Sequence, residues 1–231
     1  MKVVSIHQPN FFPWLGYFSK IAESDCFIFL DNVQYVKGTV ANQNKILSRK
    51  GEVLSIRVPV LTGKGHSQKY NEISPNYSEK WVVRLRGQLK TFYGKAAYFS
   101  DVMPDVNSLL GQEYKSLAEL NINIIKFICM KANIETKLYQ ASQLEVDFNN
   151  ANSRNIGLVK AVGGTCYLSG VGAKAYNDEI AYEENNIDLN YSNYRPILYR
   201  PELKKYDINF SVLDFLFHNG YDAMKDVLEH G

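Results

Sequence analysis

The first thirty residues constrain the fold more than any other part of the chain. Residues 2–6 and 26–30 are short runs of apolar, β-branched or aromatic residues, a pattern typical of strands buried on both faces. Between them, Pro13 suits the first turn of a helix. Apolar residues then recur at helical spacing, namely Trp14, Leu15, Phe18, Ile21 and Ala22. This order predicts two parallel strands joined by a right-handed helical crossover.

The rest of the chain continues the alternation of strands and helices. Strands are predicted over residues 53–60, 137–141, 166–168 and 187–191. Helices are predicted from Ser78 to Gly94, over 106–132 and 153–162, and in two short segments broken by Gly220. Ser211 and Asp214 resemble a capping box before the last pair. We therefore expect one α/β domain over residues 1–231, with a mostly parallel, Rossmann-like sheet flanked by helices and a helical C-terminal segment.

Composition excludes several classes of protein. The formal charge is +2, and no run of five like charges occurs, so a nucleic-acid-binding surface is not expected. No apolar stretch approaches the length of a membrane span, and residues 1–9 lack the apolar core of a signal peptide. Cys26, Cys129 and Cys166 lie in apolar contexts without a CxxC pair, which favours reduced, buried thiols. These features predict a cytoplasmic protein without a membrane span.

Polar residues follow the first predicted strand. In open parallel sheets, ligands bind beyond the carboxyl ends of the strands, where His7, Gln8 and Asn10 would lie. His7 could act as a general base or donate a hydrogen bond to a phosphate, while Gln8 and Asn10 could hold a sugar or a base edge. Alternatively, His7 only ends the strand and Asn10 forms an Asx turn. The position of His7 between a buried strand and a helix favours the functional interpretation.

A second polar stretch follows the second predicted strand. Asp31 could accept a proton, orient His7 or hold a ribose hydroxyl, and two lysines could neutralise phosphates. The stretch could also be a solvated turn, although buried amides would need partners or a ligand. Its candidate binding residues are Gln34, Lys37, Asn42, Asn44 and Lys45.

The third candidate loop follows the strand at 166–168. It contains Ser169, Gly170 and Lys174, and its glycines would let the backbone approach a ligand. It lacks the spacing of a P-loop, and no GxGxxG motif is present in the chain. The four histidines, at positions 7, 66, 218 and 230, show no paired ligand spacing, so no metal site is expected.

Several segments together resemble the WbqC-like family. The longest is residues 6–18, IHQPNFFPWLGYF, followed by SDCFIFLDNVQYVK at 24–37, NQNKI at 42–46, YLSG at 167–170 and FSVLD at 210–214. The resemblance implies an enzyme of bacterial surface-polysaccharide (O-antigen, lipopolysaccharide) biosynthesis that acts on nucleotide-linked amino sugars. It further implies aminoacyl transfer, notably of glycine to a sugar amine. Gly38 replaces a larger polar residue that family members often carry there.

A second resemblance is to nucleotidylyltransferases of the HxGH type. The likeness consists of a strand, His-x-x-Asn, a helix and an apolar strand that ends in Asp. In that group the histidine stabilises a phosphate during adenylyl transfer. Here Asn10 stands where the second histidine would be, and Gln8-Pro9 replaces the small residue and glycine between the histidines.

These observations lead to three hypotheses. In the first, the protein is a transferase that acylates, notably glycylates, the amine of a nucleotide-linked deoxyamino sugar, with His7 as base and Asp31 orienting it. A charged tRNA is one possible donor and would be the only nucleic-acid partner. The second is an ATP-using ligase or nucleotidylyltransferase of the HxGH type, with ATP as the cofactor. The third is a non-catalytic protein that binds a sugar nucleotide.

Overall fold

A computed structural model describes residues 1–48, 50–63, 68–206 and 209–230. The strands and α-helices, in chain order, are β1 (Val3–His7), α1 (Leu15–Ala22), β2 (Cys26–Phe29), β3 (Gln43–Leu47), β4 (Val53–Arg57), β5 (Val60–Leu61), β6 (Ser74–Pro75), α2 (Trp81–Tyr93), α3 (Phe99–Leu109), α4 (Leu117–Lys131), β7 (Lys137–Gln140), α5 (Ala151–Ala161), β8 (Cys166–Ser169), α6 (Glu179–Glu184), β9 (Asp188–Tyr191), α7 (Val212–Asn219) and α8 (Asp222–His230).

The central sheet has five parallel strands in the order β7-β2-β1-β8-β9. Numbered by their sequence within this sheet, the strands run 3-2-1-4-5, the order of a doubly wound Rossmann-type sheet. Every residue of β2 and β8 is buried, as strands covered by helices on both faces require. The predicted Rossmann-like α/β architecture with C-terminal helices is confirmed.

Alternating side chains of the strands enter two apolar cores. Phe27 and Phe29 of β2 belong to a large core with helices α1, α2, α3, α4, α7 and α8. Ile28, between them, belongs to a smaller core with α5 and α6. Successive side chains of a strand point to opposite faces, so the single run Cys26–Phe29 packs helices onto both sides of the sheet.

The prediction of one helix over residues 106–132 is wrong, because the chain forms two helices there. Helix α3 ends at Leu109, and α4 begins at Leu117 after Ser116, whose Oγ accepts a hydrogen bond from the Glu119 backbone N–H at 3.1 Å. The Glu119 carboxylate accepts a hydrogen bond from the Lys115 backbone N–H at 2.7 Å. These caps satisfy N–H groups at the start of α4. The apolar stripe of the sequence is therefore shared between two separate helices.

The polar stretch after β2 also differs from the loop that was expected. Residues Gln43–Leu47 form β3, an antiparallel partner of β4. The strand expected over 53–60 ends at Arg57, and Val60–Leu61 instead pairs with Ser74–Pro75. Helix α2 begins at Trp81 rather than at Ser78. The amide-rich segment is thus a hairpin strand that packs beside the carboxyl edge of the main sheet.

The predicted capping box before α7 is half correct. Ser211 Oγ accepts a hydrogen bond from the Leu213 backbone N–H at 3.3 Å. The Asp214 carboxylate, which is fully buried, does not return to the helix start. Its oxygens accept hydrogen bonds from the Tyr93 hydroxyl at 2.7 Å, the Tyr199 hydroxyl at 2.8 Å and the Arg200 guanidinium at 2.6 Å. Asp214 therefore links helix α7 to helix α2 and to the segment that precedes α7.

Candidate active site

The strand order places the candidate site at the carboxyl end of β1. From β1 the sheet grows to β2 on one side and to β8 on the other. Loops that follow neighbouring strands on the two sides of such a switch point diverge, which opens a crevice for ligands. His7 ends β1 and Ser169 ends β8, so two of the predicted loops meet here.

The His7 imidazole is held in one tautomer. Its Nδ1 lies 3.0 Å from the Gln8 carbonyl oxygen, which can only accept a hydrogen bond, so Nδ1 carries the proton. The ring packs edge-on against Tyr17, with 4.9 Å between ring centroids, and against Trp14 at 6.1 Å. Burial, and then the positive charge of Lys20, lower the pKa of His7 to about 4. At neutral pH the imidazole is therefore uncharged, and Nε2 presents a lone pair.

Lys20 is a buried cation beside this histidine. It lies on α1, is 6% exposed, and its Nζ donates a hydrogen bond to the Ile6 carbonyl oxygen at 3.1 Å. Burial lowers the pKa of Lys20 to about 8, and the Glu23 carboxylate acts in the opposite direction. Ile6 directly precedes His7, so Lys20 ties the end of β1 to the helix that covers it.

The loop between β1 and α1 is held by side chains from distant parts of the chain. The Asn44 amide donates to the Phe11 and Phe12 carbonyl oxygens at 3.2 and 2.7 Å, and Ser211 Oγ donates to the Phe12 oxygen at 2.8 Å. The Asn121 amide donates to the Pro9 oxygen at 2.9 Å. Phe12 has a φ of +40°, an unfavourable value for an aromatic residue. These contacts hold a strained loop in one conformation.

Three buried amides beside this loop retain unused hydrogen-bonding atoms. Asn10 is 1% exposed, and neither Nδ2 nor Oδ1 has a partner among the described residues. In the same part of the structure, Oδ1 of Asn42 and Oδ1 of Asn121 also lack partners, although each Nδ2 is bonded to backbone oxygens. Buried polar groups are normally satisfied, so this cluster has spare capacity for water or ligand.

Asp31 does not contact His7. Its two carboxylate oxygens accept hydrogen bonds from the Ser142 backbone N–H at 2.9 Å and from the Ser142 hydroxyl at 2.6 Å. Ser142 follows β7, the strand on the far side of β2 from β1. The Gln8 carbonyl, not Asp31, accepts the His7 Nδ1–H, so this geometry does not support the expected orienting role of Asp31.

The loop after β8 is built around its own polar contacts. The buried Ser169 Oγ accepts a hydrogen bond from Asn177 at 3.0 Å, and the Lys174 ammonium lies 5.7 Å from the centroid of the Tyr191 ring. A Cβ on Gly170 would meet no atom within 4 Å. Ser169, Gly170 and Lys174 remain candidates for binding, and Ser169 also positions Asn177.

The remaining predicted residues lie in different surroundings. Gln8 is half-buried next to His7, and its carbonyl oxygen also accepts the Tyr17 hydroxyl at 3.0 Å. Gln34 and Lys45 are exposed, with Gln34 opposite Lys69 in a β-bridge and Lys45 on β3. Lys37 is exposed and lines a groove beside α2. The structure thus fastens Asn44 to the loop that carries Gln8 and Asn10, and leaves Lys37, Lys45 and Lys174 exposed.

A cavity of about 680 Å³ lies at the amino ends of the strands, beside Lys2, Asp25 and Lys137, at the opposite edge from His7. Within the described ranges no group of three or more His, Cys, Asp or Glu side chains is placed to hold a metal ion, and His66 falls outside these ranges. None of the helices in those ranges combines the length and apolarity needed to cross a membrane.

Lys20, Tyr17 and Asn121 were missed in the sequence. Lys20 falls within a helix whose residues from Leu15 to Ile21 are all buried, and a lysine inside so apolar a segment was the available signal. Asn121 gave a similar signal, as a polar residue on the apolar stripe of α4. Tyr17 gave no comparable signal in the sequence, apart from its position one helical turn before Ile21.

Comparisons with known proteins give matches that cover most of the chain. The family model described as the WbqC-like protein family matches residues 8–226. The chain is 31% identical over 227 residues to the Mycobacterium tuberculosis protein named "Uncharacterized protein Rv1507c", and the match covers 96% of each chain. No solved structure matches the chain. By the extent of the family match and of this relative, the chain belongs to the WbqC-like protein family.

Proposed function

We propose that the protein is a biosynthetic enzyme of bacterial surface polysaccharide, which transfers an acyl group to the amine of a nucleotide-linked deoxyamino sugar. We favour glycyl, an aminoacyl group, as the group that is transferred. The observation that carries the proposal is the His7 imidazole, which is neutral, locked in the Nδ1–H tautomer, and located at the switch point of a Rossmann-type sheet. Family membership supports a biosynthetic enzyme.

His7 Nε2 serves as the proton acceptor in this reaction. The sugar amine attacks the acyl carbon, a C–N bond forms, and the bond from the acyl carbon to the leaving group breaks. The proton lost by the amine passes to Nε2 and then to the leaving group. With a pKa of about 4, His7 is a weak base in the free protein. A negatively charged group of the substrate close to the ring would raise that pKa, because a negative charge favours the imidazolium.

Lys20 acts through His7 as a positioning residue. Its hydrogen bond to the Ile6 carbonyl holds the end of β1, and its charge adds to the effect of burial in keeping His7 neutral. The Asn10 amide, with its donor and its acceptor unused, and the Asn42 Oδ1, an unused acceptor, would receive hydroxyl or amide groups of the sugar.

The proposal is tested by direct detection of acyl transfer. Purified protein is incubated with a panel of nucleotide-linked amino sugars and with three glycine donors: glycine plus ATP, glycyl-tRNA and a glycyl thioester. Product is detected by mass spectrometry. General base catalysis contributes about 10²- to 10⁴-fold, so His7→Gln should lower the rate by that factor. Lys90→Gln, an exposed change on α2, is the control. An unchanged rate in His7→Gln would remove the assigned role.

Adenylyl transfer is the second candidate, and the strand order favours it. A 3-2-1-4-5 sheet with a loop and helix after β1 is an arrangement that binds nucleotides. Asn10, at the position of the second histidine of an HxGH motif, is buried and uncharged and cannot replace that group electrostatically. Calorimetric titration with Mg-ATP tests the candidate, with pyrophosphate release as the activity. Binding and release in the absence of any sugar would place adenylation ahead of direct acyl transfer.

A further inference from the structure

A groove with three cationic side chains runs along the start of helix α2. Its volume is about 430 Å³, and it lies between α2 and the segment that contains β4 and β5. The charged and aromatic side chains that line it are Lys37, Arg57, Glu79, Trp81 and Arg84. Two of the cations belong to segments distant from α2 in the sequence, so the fold itself brings these charges together.

The charge in this groove is only partly neutralised. Arg84 lies 3.2 Å from the Glu79 carboxylate in an exposed ion pair. Neither Lys37 nor Arg57 forms an ion pair with a carboxylate from the described part of the chain, and both are exposed. Two positive charges therefore remain available in the lining of the groove, a configuration that attracts anions.

Trp81 adds an independent indication of a ligand. It lines the groove, is 2% exposed, and its indole Nε1–H has no hydrogen-bond partner among the described residues. An indole nitrogen is a donor only, so its missing partner must be an acceptor. Trp81 is also the first residue of a helix of thirteen residues whose N-cap, Lys80, provides no side-chain cap. Backbone N–H groups at that end favour an anion as well.

The groove is connected through Trp81 to the loop that carries His7 and Asn10. The Phe11 ring packs edge-on against Trp81, with 6.3 Å between centroids. The Phe11 backbone N–H donates to the Val40 carbonyl at 3.1 Å, which joins this loop to the one that carries Lys37. A ligand in the groove would thus be linked to the loop of the candidate active site through the Trp81 and Phe11 rings.

We infer that this groove binds the diphosphate of a nucleotide diphosphate, with Lys37 and Arg57 as its principal cations. The guanidinium of Arg57 can donate two parallel hydrogen bonds to phosphate oxygens, and Lys37 adds a point charge. The identity of the ligand as the nucleotide part of a sugar nucleotide rests on the proposed function. The existence of an anion site does not, because it follows from the unpaired cations and the indole donor.

The test is isothermal titration calorimetry with UDP and with inorganic pyrophosphate. The variants are Arg57→Gln and Lys37→Gln, with Lys90→Gln, an exposed change farther along α2 outside the groove, as the matched control. Each groove variant should weaken UDP binding by about tenfold or more, since charge-assisted hydrogen bonds are the strong ones. Lys90→Gln should bind as the unchanged protein does. Affinity should also fall as salt is added.

Each outcome decides a separate point. Equal UDP affinity in the unchanged protein and in the double variant Lys37→Gln/Arg57→Gln, or no binding to the unchanged protein, would overturn the site. Pyrophosphate binding as tight as UDP binding would overturn the nucleotide assignment and indicate an inorganic anion. Because binding is measured without turnover, loss of UDP affinity in Arg57→Gln supports the site even if no acyl transfer is found. Conversely, acyl transfer with an unchanged KM in the double variant would refute binding of the substrate in the groove, whereas the proposed function would stand.

Discussion

The low pKa of His7 makes the stability of the protein depend on pH in a predictable way. In the unfolded chain a histidine takes up its proton near pH 6.5, whereas in the folded protein burial and Lys20 lower the pKa of His7 to about 4. Between these values the unfolded state binds a proton that the folded state does not bind. Stability contributed by neutral His7 is therefore fully present above pH 6.5 and is lost as the pH falls toward 4.

The magnitude follows from the two pKa values. Each pKa unit corresponds to about 1.4 kcal/mol, so the full contribution is about 3 kcal/mol. Between pH 6.5 and 5, about 2 kcal/mol of the free energy of unfolding should disappear. For a protein with a stability of roughly 5–15 kcal/mol, this loss is readily measured.

The assay is urea unfolding of the unchanged protein and of His7→Gln at several pH values from 7.5 to 5. Carboxylates titrate over part of this range in both proteins, so only the difference between the two curves reports on His7. That difference should be constant above pH 6.5 and should shrink by about 2 kcal/mol by pH 5. A difference that stays constant across the range would show that the surroundings of His7 do not lower its pKa, and would refute this reasoning.

Three further predictions concern the contacts around this site and the core. Lys20→Met should raise the pKa of His7 above 4 but leave it below 6.5, because burial is the larger cause; an NMR titration that finds no rise would contradict this. Asp31→Asn should lower the free energy of unfolding by about 1–3 kcal/mol, since both oxygens accept bonds from Ser142, and unchanged urea unfolding would refute it. Asp214→Asn should cost about 3–5 kcal/mol, because it leaves the buried Arg200 charge unpaired; a loss below 1 kcal/mol in the same assay would refute it.

Much of the sheet could be predicted because its strands carry their own signal. Residues 2–6, 26–30, 137–141, 166–168 and 187–191 are short apolar or half-apolar runs, and each of the five overlaps a strand of the central sheet. Strand β3 was missed because Gln43, Asn44 and Lys45 have low strand propensity. Its formation depends on the partner strand and on Asn44 binding the loop at Phe12, which are long-range contacts.

The candidate site shows the same division between local and long-range information. The position of His7 at a strand end follows from the local pattern, since a buried run stops at a proline-containing loop. The partner of Asp31 does not follow from it. Asp31 lies after β2, and whether its carboxylate turns toward β1 or β7 depends on the strand order, which no local pattern specifies. The hydrogen bonds between Asp31 and Ser142 could therefore not be predicted without the strand order.

The energetic cost of Lys20 is itself an argument for function. In the unfolded chain a lysine has a pKa near 10.5, but burial lowers the pKa of Lys20 to about 8, so keeping its charge at neutral pH costs about 3 kcal/mol. One hydrogen bond to the Ile6 carbonyl recovers about 1–3 kcal/mol, and an apolar side chain of similar length would fill the same space without the cost. Perturbed groups of this kind concentrate at functional sites. A buried cation next to a neutral histidine at the end of β1 is therefore better explained by the chemistry of His7 than by the packing of α1.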